Sequence, residues 1–290
     1  MENDTKVRWI FGEYTKEDMM KMDPVALGAL LRERTHHTIE VILYPTLLKG
    51  QEKAIGSFGM EAQLVFDVWQ ERDLPEDSPD LVWVKDYLRI AKSIRSGEKV
   101  NLDLPLTAAF TENEMAVVQK LIYRRHSIRD FTEGEISDEM VEKILDAGRV
   151  APNGCNLNMV RFVVLRDPEE KKMIWSDISG KNAVIIVICH DTRVPEIVGQ
   201  DKVVPHNSGF DAAAAGDHML LMAHALGLGG VWLSSIKTID GRRDTGKEFA
   251  EKYGLPDHIV VDLHIAVGWP ASGTIKSARI PLEDMIIRKA

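Results

Sequence analysis

The sequence predicts an α+β fold, with a central sheet of four or five strands flanked by helices and a mainly helical region before it. Two features carry this prediction. Residues 159–165 and 184–189 are apolar, β-branched segments of strand length, and the second is almost unbroken, as in a strand buried on both faces. Amphipathic helical patterns lie on either side of these segments, so helices alternate with single strands.

The composition is that of an ordinary globular protein. The chain has 290 residues, of which 44% are hydrophobic and 28% charged, so it is long enough to bury a sizeable core. The net charge of -9 argues against general affinity for nucleic acids, because a polyanion binds to a basic surface. Any site for a phosphate must therefore be a local exception to this charge.

The cysteines and the amino-terminal segment restrict the possible sites and compartment. Cys155 and Cys189 are the only cysteines, and their spacing is typical of neither metal nor redox motifs. We therefore expect no disulfide framework, zinc site or iron–sulfur cluster. Residues 1–10 carry charges throughout, and no apolar segment approaches the length of a membrane span, so we expect a cytoplasmic protein without membrane contact.

The chain divides into two regions near Phe110. Helices are predicted after the Asp23-Pro24 pair, over residues 60–69, and from Ser78 onward, each with an apolar stripe that needs a partner surface. Residues 96–99 break this pattern, and residues 100–105 are typical of a linker. We therefore predict a mainly helical region over residues 1–110 and a second domain over residues 111–290.

The second domain is predicted to begin with a capped helix. Thr111 and Glu114 have the spacing of a capping box, and Met115, Val118, Leu121 and Ile122 are expected to form the buried face. Further helices are predicted from Ser137 and, with unusually small residues, from Asp211 to Ala225. Additional strands are predicted over residues 231–236 and 259–267, separated by a polar helix over residues 240–253.

A basic segment follows the capped helix directly. Arg124, Arg125 and Arg129 offer planar, permanently charged donors that match phosphate oxygens, and Ser127 adds a neutral donor. Because these residues follow the carboxyl end of a helix, the helix dipole does not favour an anion there. Side chains must hold the anion, unless the segment is simply a solvated basic loop.

Four blocks of sequence, in this order, resemble the FMN-dependent nitroreductase family. They are residues 125–131, 151–156, 227–232 and 268–270, which read RHSIRDF, APNGCN, GLGGVW and GWP. The resemblance covers about residues 111–290 and implies a nitroreductase-like fold with a mixed sheet flanked by helices. It leaves the first hundred or so residues unexplained.

The resemblance implies that the basic segment binds the phosphate of FMN. Arg125, Ser127 and Arg129 would hold it, and Lys276 or Arg279 after the last block would complete the basic set. His126 either donates to the phosphate or the substrate, or has a structural role. Taken alone, Lys276 and Arg279 would be read as part of a solvated surface.

The resemblance also implies contacts to the flavin ring. Asn156 would form a hydrogen bond with the ring, and Asn153 stands where the family usually has serine. The backbone amides of Gly229 and Gly230 would approach the reactive edge of the ring, since glycine permits close contact. The family commonly continues with Gln-Pro-Trp, whereas this chain has Asn158-Met159-Val160. We interpret Cys155 as a small packing residue beside the flavin and not as a nucleophile.

The implied activity is transfer of reducing equivalents from NADH or NADPH through FMN to a small organic acceptor by a ping-pong mechanism. The acceptor is a nitroaromatic, a quinone, an activated alkene or a haloaromatic compound. A homodimer is expected, because in the family each flavin lies between two subunits. The cofactor carries the chemistry, so no side chain is assigned as catalytic acid or base.

Two alternatives stay open at this point. One is the branch of the same superfamily that resembles iodotyrosine deiodinase and the flavin-fragmenting enzyme of benzimidazole synthesis. The other is a non-catalytic, FMN-binding redox sensor in which the helical region passes the redox state to a partner.

Overall fold

The computed structural model describes residues 6–9, 12–48, 56–100, 107–175, 178, 181–234 and 245–288. Its amino-terminal part is mainly helical, as predicted. A small hairpin precedes the helices, and a π-helical turn, His36–Glu40, joins two of them. The elements are β1 (Lys6–Trp9), β2 (Gly12–Thr15), α1 (Lys16–Lys21), α2 (Pro24–Thr35), α3 (Val41–Leu48), α4 (Met60–Glu71) and α5 (Pro79–Arg95).

Side-chain caps fix the starts of the first helices. The Asp23 carboxylate accepts from the amide of Val25, and Pro24 occupies the first helical position, where an amide hydrogen would have no partner. Thr15 and Asp18 form a capping box at the start of α1. The predicted linker, residues 100–105, lies outside the described residues apart from Val100.

The carboxy-terminal part contains a four-stranded sheet in the order β3-β4-β6-β5. All its strand pairs are antiparallel, and an isolated bridge between Ser127 and Gly230 is parallel. The predicted α+β class is confirmed. The elements are α6 (Glu112–Arg124), α7 (Asp138–Arg149), β3 (Val160–Leu165), α8 (Pro168–Ile174), β4 (Val184–Asp191), α9 (Arg193–Ile197), α10 (Gln200–Val203), α11 (Asn207–Ala225), β5 (Gly229–Ser234), α12 (Thr245–Tyr253), β6 (Ile259–Gly268) and α13 (Leu282–Met285).

Each predicted strand is present within one or two residues of its expected limits among the described positions. Residues 235–236 of the third predicted strand and residues 240–244 of the polar helix lie outside the described part of the chain. The apolar strand β4 is central and buried, because β3 and β6 cover its two edges while helices cover its faces. β4 is therefore buried on both faces, as its almost unbroken apolar sequence predicted.

Helices α7 and α11 cover one face of the sheet. Gly216 of α11 permits this close packing, since a Cβ atom there would lie 3.1 Å from the Trp232 ring and 3.3 Å from Ile188. Phe131 and Phe249 are buried on the opposite face. The small residues of α11 thus allow tight packing against the sheet.

The amino-terminal helices do not form a core of their own. Leu27 and Leu30 of α2 belong to one buried cluster with Leu157, Met159 and Val194 from the second region. A stripe on a short helix needs such a surface, because short amphipathic helices have little stability in isolation. The helical region and the sheet domain therefore share a hydrophobic core.

The prediction for α6 was correct for its start and wrong for its buried face. Thr111 and Glu114 form the expected capping box. However, no residue of α6 is buried: Met115 and Ile122 are 44% and 54% exposed, and Val118 and Leu121 are half-buried. An apolar face is buried only where a surface meets it, and the described residues of the single chain do not cover this one.

None of the helices among the described residues combines the length and apolar character needed to span a bilayer.

Candidate functional site

The basic segment (residues 124–129) and a glycine-rich turn (residues 227–230, the glycine turn) meet at a cavity of about 480 Å³, which we call the arginine cavity. After α6 the backbone extends at Arg125, and the amide of Ile128 donates to the carbonyl of Gly230 at 3.0 Å. This contact brings the segment alongside the edge strand β5. The cavity is lined by Arg125, His126, Ile128, Leu220, His224, Gly227, Leu228, Gly229, Gly230 and residues 270–273.

The two predicted glycines are required by packing. A Cβ atom on Gly229 would lie 2.7 Å from the Cβ atom of Ile128, and one on Gly230 would lie 2.6 Å from a methyl group of Leu220. Both distances are shorter than real Cβ contacts. Glycine at these positions therefore allows the basic segment and α11 to approach the start of β5.

The arginine cavity has the polarity of an anion site. Arg125 is half-buried, and among the described residues no acidic side chain lines the cavity. Burial lowers the pKa of His224, and the positive charge of Arg125 adds to the effect. The Nδ1 atom of His126 lies 2.9 Å from the Arg124 carbonyl, while its Nε2 atom is buried without a partner in the described part of the chain. Buried polar atoms normally have a hydrogen-bond partner, so this nitrogen is able to bind a ligand group in the cavity.

The predicted second basic element lies beside the first. The chain after β6 returns along the basic segment, with the amide of Ala271 donating to the Asp130 carbonyl at 3.0 Å. The Nζ atom of Lys276 donates to the carbonyl of Tyr123, at the end of α6. Arg129 and Arg279 are exposed, and Arg279 donates to the Ala278 carbonyl. Lys276 is thus the predicted carboxy-terminal cation that contacts the end of α6.

Asn153 lines a separate cavity of about 490 Å³, which we call the asparagine cavity. Its loop has an unusual backbone, since Cys155, Asn156 and Asn158 all have positive φ angles. The side-chain Nδ2 atom of Asn158 donates to the Oδ1 atom of Asn156 at 3.2 Å. The backbone amide of Asn158 donates to the Oδ1 atom of Asn153 at 3.0 Å. Asn158, which departs from the family pattern, therefore stabilises this loop.

Helix α11 separates the two cavities. Asp211, near its start, lines the asparagine cavity, and His224, near its end, lines the arginine cavity. These residues are 13 positions apart, which corresponds to about 20 Å along a helix. A single chain therefore does not bring Asn153 together with Arg125, Gly229 and Gly230.

Asp211 is a buried acidic residue of the asparagine cavity that the sequence analysis took only as a helix start. The helix begins one turn earlier, at Asn207, so Asp211 lies inside it. Its Oδ1 atom accepts from the amide of Gly154 at 3.0 Å, and its Oδ2 atom is buried without a partner among the described residues. Burial raises the pKa of Asp211 to about 6. The sequence signal was an acidic side chain among apolar positions at helical spacing.

His37 is a second residue that the sequence analysis missed. The Nε2 atom of His37 lies 4.0 Å from the Sγ atom of Cys155, and Gln200 approaches the same sulfur at 3.6 Å. Cys155 therefore packs against the helical region, where His37 lies near its sulfur although it is distant in sequence. Hydrogen bonds with Cys155 and Glu33 raise the pKa of His37 to about 10.

Asp211 should make stability depend on pH. Its folded-state pKa of about 6 exceeds the ordinary value of 3.8, so the unfolded chain loses this proton first, and folding becomes less favourable as the pH rises between these values. Asp211→Asn keeps the acceptor for Gly154 and removes the titration. Between pH 5 and 7.5 the variant should gain about 1 kcal/mol in unfolding free energy relative to the wild type.

Urea unfolding of the protein without added flavin, at both pH values, measures this difference. Asp217→Asn, at an exposed position of the same helix, is the matched control and should follow the wild type. A constant difference between Asp211→Asn and wild type across this range would contradict the assignment.

Comparisons with known proteins agree with this geometry. A family model described as the nitroreductase family matches residues 122–194 and 180–269, together half of the chain. A relative from Archaeoglobus fulgidus, provisionally named an NADH dehydrogenase/NAD(P)H nitroreductase, is 36% identical over 157 residues, which cover 52% of this chain and 84% of the relative. An FMN reductase [NAD(P)H] from Bacillus subtilis is 26% identical, over 58% of this chain and 72% of its own.

A solved structure shows the same fold. The NADPH:FMN oxidoreductase from Vibrio harveyi, complexed with NAD+, has a TM-score of 0.50 and 24% identity, and the match covers 59% of this chain and 76% of that one. The family match begins within α6 and includes the basic segment, the loop of residues 153–158 (the asparagine loop) and the glycine turn. The chain therefore belongs to the nitroreductase family.

Proposed function

We propose that the protein is an FMN-dependent oxidoreductase that takes reducing equivalents from NADH or NADPH and passes them to a small organic acceptor. The observation that carries this proposal is the arginine cavity. There a half-buried guanidinium, a buried histidine nitrogen without a partner among the described residues, and the glycine turn surround one space that has no acidic lining residue in the described chain. The names of the relatives, which include an FMN reductase, agree with it.

The phosphate end of FMN is assigned to the basic segment. Arg125 would donate to its oxygens, with Ser127 adding a hydroxyl donor. The buried Nε2 atom of His126 would donate as well in the doubly protonated ring, since Nδ1 already faces the Arg124 carbonyl. Arg129, Lys276 and Arg279 are exposed and would complete the basic set. Charge-assisted hydrogen bonds are the strong ones, and these side chains supply what a helix carboxyl end cannot.

The ring end is assigned to the glycine turn. Gly229 and Gly230 begin the edge strand β5 and line the arginine cavity, so their backbone would lie against a planar ring bound there. Backbone amides at this position would stabilise negative charge on the reduced ring. When bound, FMN would supply hydride acceptance from the nicotinamide and electron donation to the acceptor, in two half-reactions of a ping-pong cycle. The chain's own side chains would position the reactants, so none is assigned as acid or base.

A homodimer is part of the proposal. The exposed apolar face of α6 and a carboxy-terminal segment with fully exposed Ile275 and Ile287 are the features that favour it. The opposite ends of α11 carry the two cavities. In a two-fold dimer with antiparallel α11 helices, the asparagine cavity of one subunit would meet the arginine cavity of the other. Asn153 and Asn156 would then reach a flavin held by the partner.

The remaining assignments concern the chain as a whole. We propose residues 1–110 as a helical region that covers the flavin domain of residues 111–290 and contributes to acceptor choice. Both cysteines are free thiols in the structure, and a cytoplasmic location is consistent with this. No nucleic acid or membrane partner is proposed.

Removing Arg125 should weaken FMN binding. A hydrogen bond to a charged group contributes about 1.5–3 kcal/mol, so Arg125→Ala should raise the Kd for FMN by about 10- to 100-fold. Flavin fluorescence quenching measures this. Riboflavin, which lacks the phosphate, is the control, and its weak binding should hardly change. Equal losses for both flavins would assign Arg125 to the fold or the ring pocket instead.

A charge on the exposed face of α6 should separate the subunits. Ile122→Glu buries a carboxylate in the proposed interface, and we expect a monomer that retains its helical circular dichroism and binds FMN at least 10-fold more weakly. Asn113→Glu introduces the same side chain about two and a half turns earlier in the helix, on the opposite face, and should remain dimeric. Light scattering after size exclusion gives the mass, and a wild-type monomer would refute the shared site.

Anaerobic turnover distinguishes an enzyme from a sensor. The FMN-loaded protein should oxidise NADH or NADPH repeatedly when a nitroaromatic, quinone, activated alkene or haloaromatic acceptor is present. Steady-state absorbance of the nicotinamide measures the rate for each acceptor. A single stoichiometric reduction, with no turnover for any acceptor, would support the redox sensor instead.

A further inference from the structure

A cluster of soft and borderline ligand atoms lies where the helical region meets the asparagine loop. The Sγ atom of Cys155 and one ring nitrogen each of His36 and His37 all lie within 4.8 Å of one another. The histidines come from the π-helical turn between α2 and α3, and the cysteine comes from the loop before β3. His37 and Cys155 are 118 positions apart in the sequence.

Each histidine is held by a carboxylate through its Nδ1 atom. His36 Nδ1 lies 2.7 Å from Glu40, and His37 Nδ1 lies 2.8 Å from Glu33. A carboxylate accepts from an N–H group, so these contacts hold a proton on each Nδ1 atom, and an ion would bind at Nε2 in place of any proton there. Metal-ligating histidines almost always have such a partner, which orients the ring and raises its basicity.

We propose that Cys155, His36 and His37 bind a divalent transition-metal ion of the zinc class. Thiolate and imidazole are the ligands that Zn²⁺ prefers, and Glu33 and Glu40 supply the outer partners. Bond lengths of about 2.0–2.3 Å would draw the three atoms together from their present separations. The shift is small, because the three atoms already lie within 4.8 Å of one another.

The backbone on both sides of the cluster is specialised for this arrangement. Consecutive histidines on a regular α-helix point in different directions, whereas the π-helical turn widens the backbone, and such turns occur often at functional sites. On the other side, Cys155 adopts the left-handed conformation, with φ 54° and ψ 25°. Gly154 permits the tight approach of this loop to Asn207 and Gln200, since a Cβ atom would lie within 2.0 Å of the Asn207 amide.

Three protein ligands would leave a fourth position for water or another small ligand. Structural zinc sites are closed by four protein ligands, whereas sites with three keep an open position. The His37 side chain is 44% exposed, so solvent reaches the cluster. The ion would also link the helical region to the loop that carries Asn153 and Asn156. The proposed metal site does not depend on the assignment of the flavin site.

Cobalt(II) provides a direct spectroscopic test in the full-length protein. Reduced protein freed of metal with EDTA is titrated with Co²⁺ without oxygen, and thiolate-to-cobalt charge-transfer absorption is recorded as a difference spectrum. We expect saturable absorption at one ion per chain. Cys189→Ala, which leaves Cys155 as the only thiol, should keep it, and Cys155→Ala should lose it.

The ligand set and its outer partner are tested separately. His36→Ala and His37→Ala should each reduce Co²⁺ affinity by at least 10-fold, and Glu40→Ala should reduce it by about 10- to 100-fold, as expected for an outer partner of a ligating histidine. Circular dichroism confirms that each variant is folded. Unchanged affinity in both histidine variants would overturn the proposed ligands.

Protection of the thiol gives a second readout that needs no histidine variant. In Cys189→Ala, alkylation of Cys155 by iodoacetamide should slow at least 10-fold with saturating Zn²⁺, and EDTA should restore the rate. An alkylation rate unaffected by Zn²⁺, or no cobalt–thiolate absorption in the wild type, would refute the metal site. A rapid, Zn²⁺-independent reaction would instead identify Cys155 as a nucleophile activated by His37.

Discussion

A buried guanidinium holds the two regions of the protein together. The Nε and Nη2 atoms of Arg32 donate to the Leu157 carbonyl at 3.2 and 3.0 Å, and its Nη1 atom donates to Asp80 at 2.8 Å. Burial lowers the pKa of Arg32, and the carboxylate of Asp80 opposes this effect. Losing either partner would leave a buried charge or carbonyl uncompensated, which costs several kcal/mol. The asparagine loop therefore depends on α2 and α5 for its position, although it belongs to the sheet domain.

That dependence gives the helical region a chemical role in addition to covering the domain. The turn after α2 carries His36 and His37, and the loop fixed by Arg32 carries Asn153 and Cys155. Movement of α2 would therefore alter both the cysteine–histidine cluster and the asparagine cavity. A proposed metal ion and a proposed flavin contact would thus share one loop, so occupancy of one position would affect the geometry of the other.

Helix α11 sets the relation between the two cavities. Its small residues allow it to lie close to the sheet, and its length places Asp211 and His224 at different cavities. One chain cannot bend this helix to join them without losing the packing of Gly216 against Trp232 and Ile188. In the proposed dimer, a second subunit would cover the exposed apolar face of α6. It would also bring the arginine cavity of one subunit next to the asparagine cavity of the other.

The sequence by itself determined the elements and the chemistry of the basic segment. An almost unbroken apolar segment located β4, a helical pattern of small residues located α11, and a capping box located α6, because each signal is local along the chain. It did not determine that the α6 face is exposed, that Asn153 and Arg125 line separate cavities at opposite ends of α11, or that His37 approaches Cys155. Those facts depend on contacts between residues far apart in sequence, and only tertiary packing brings such residues together.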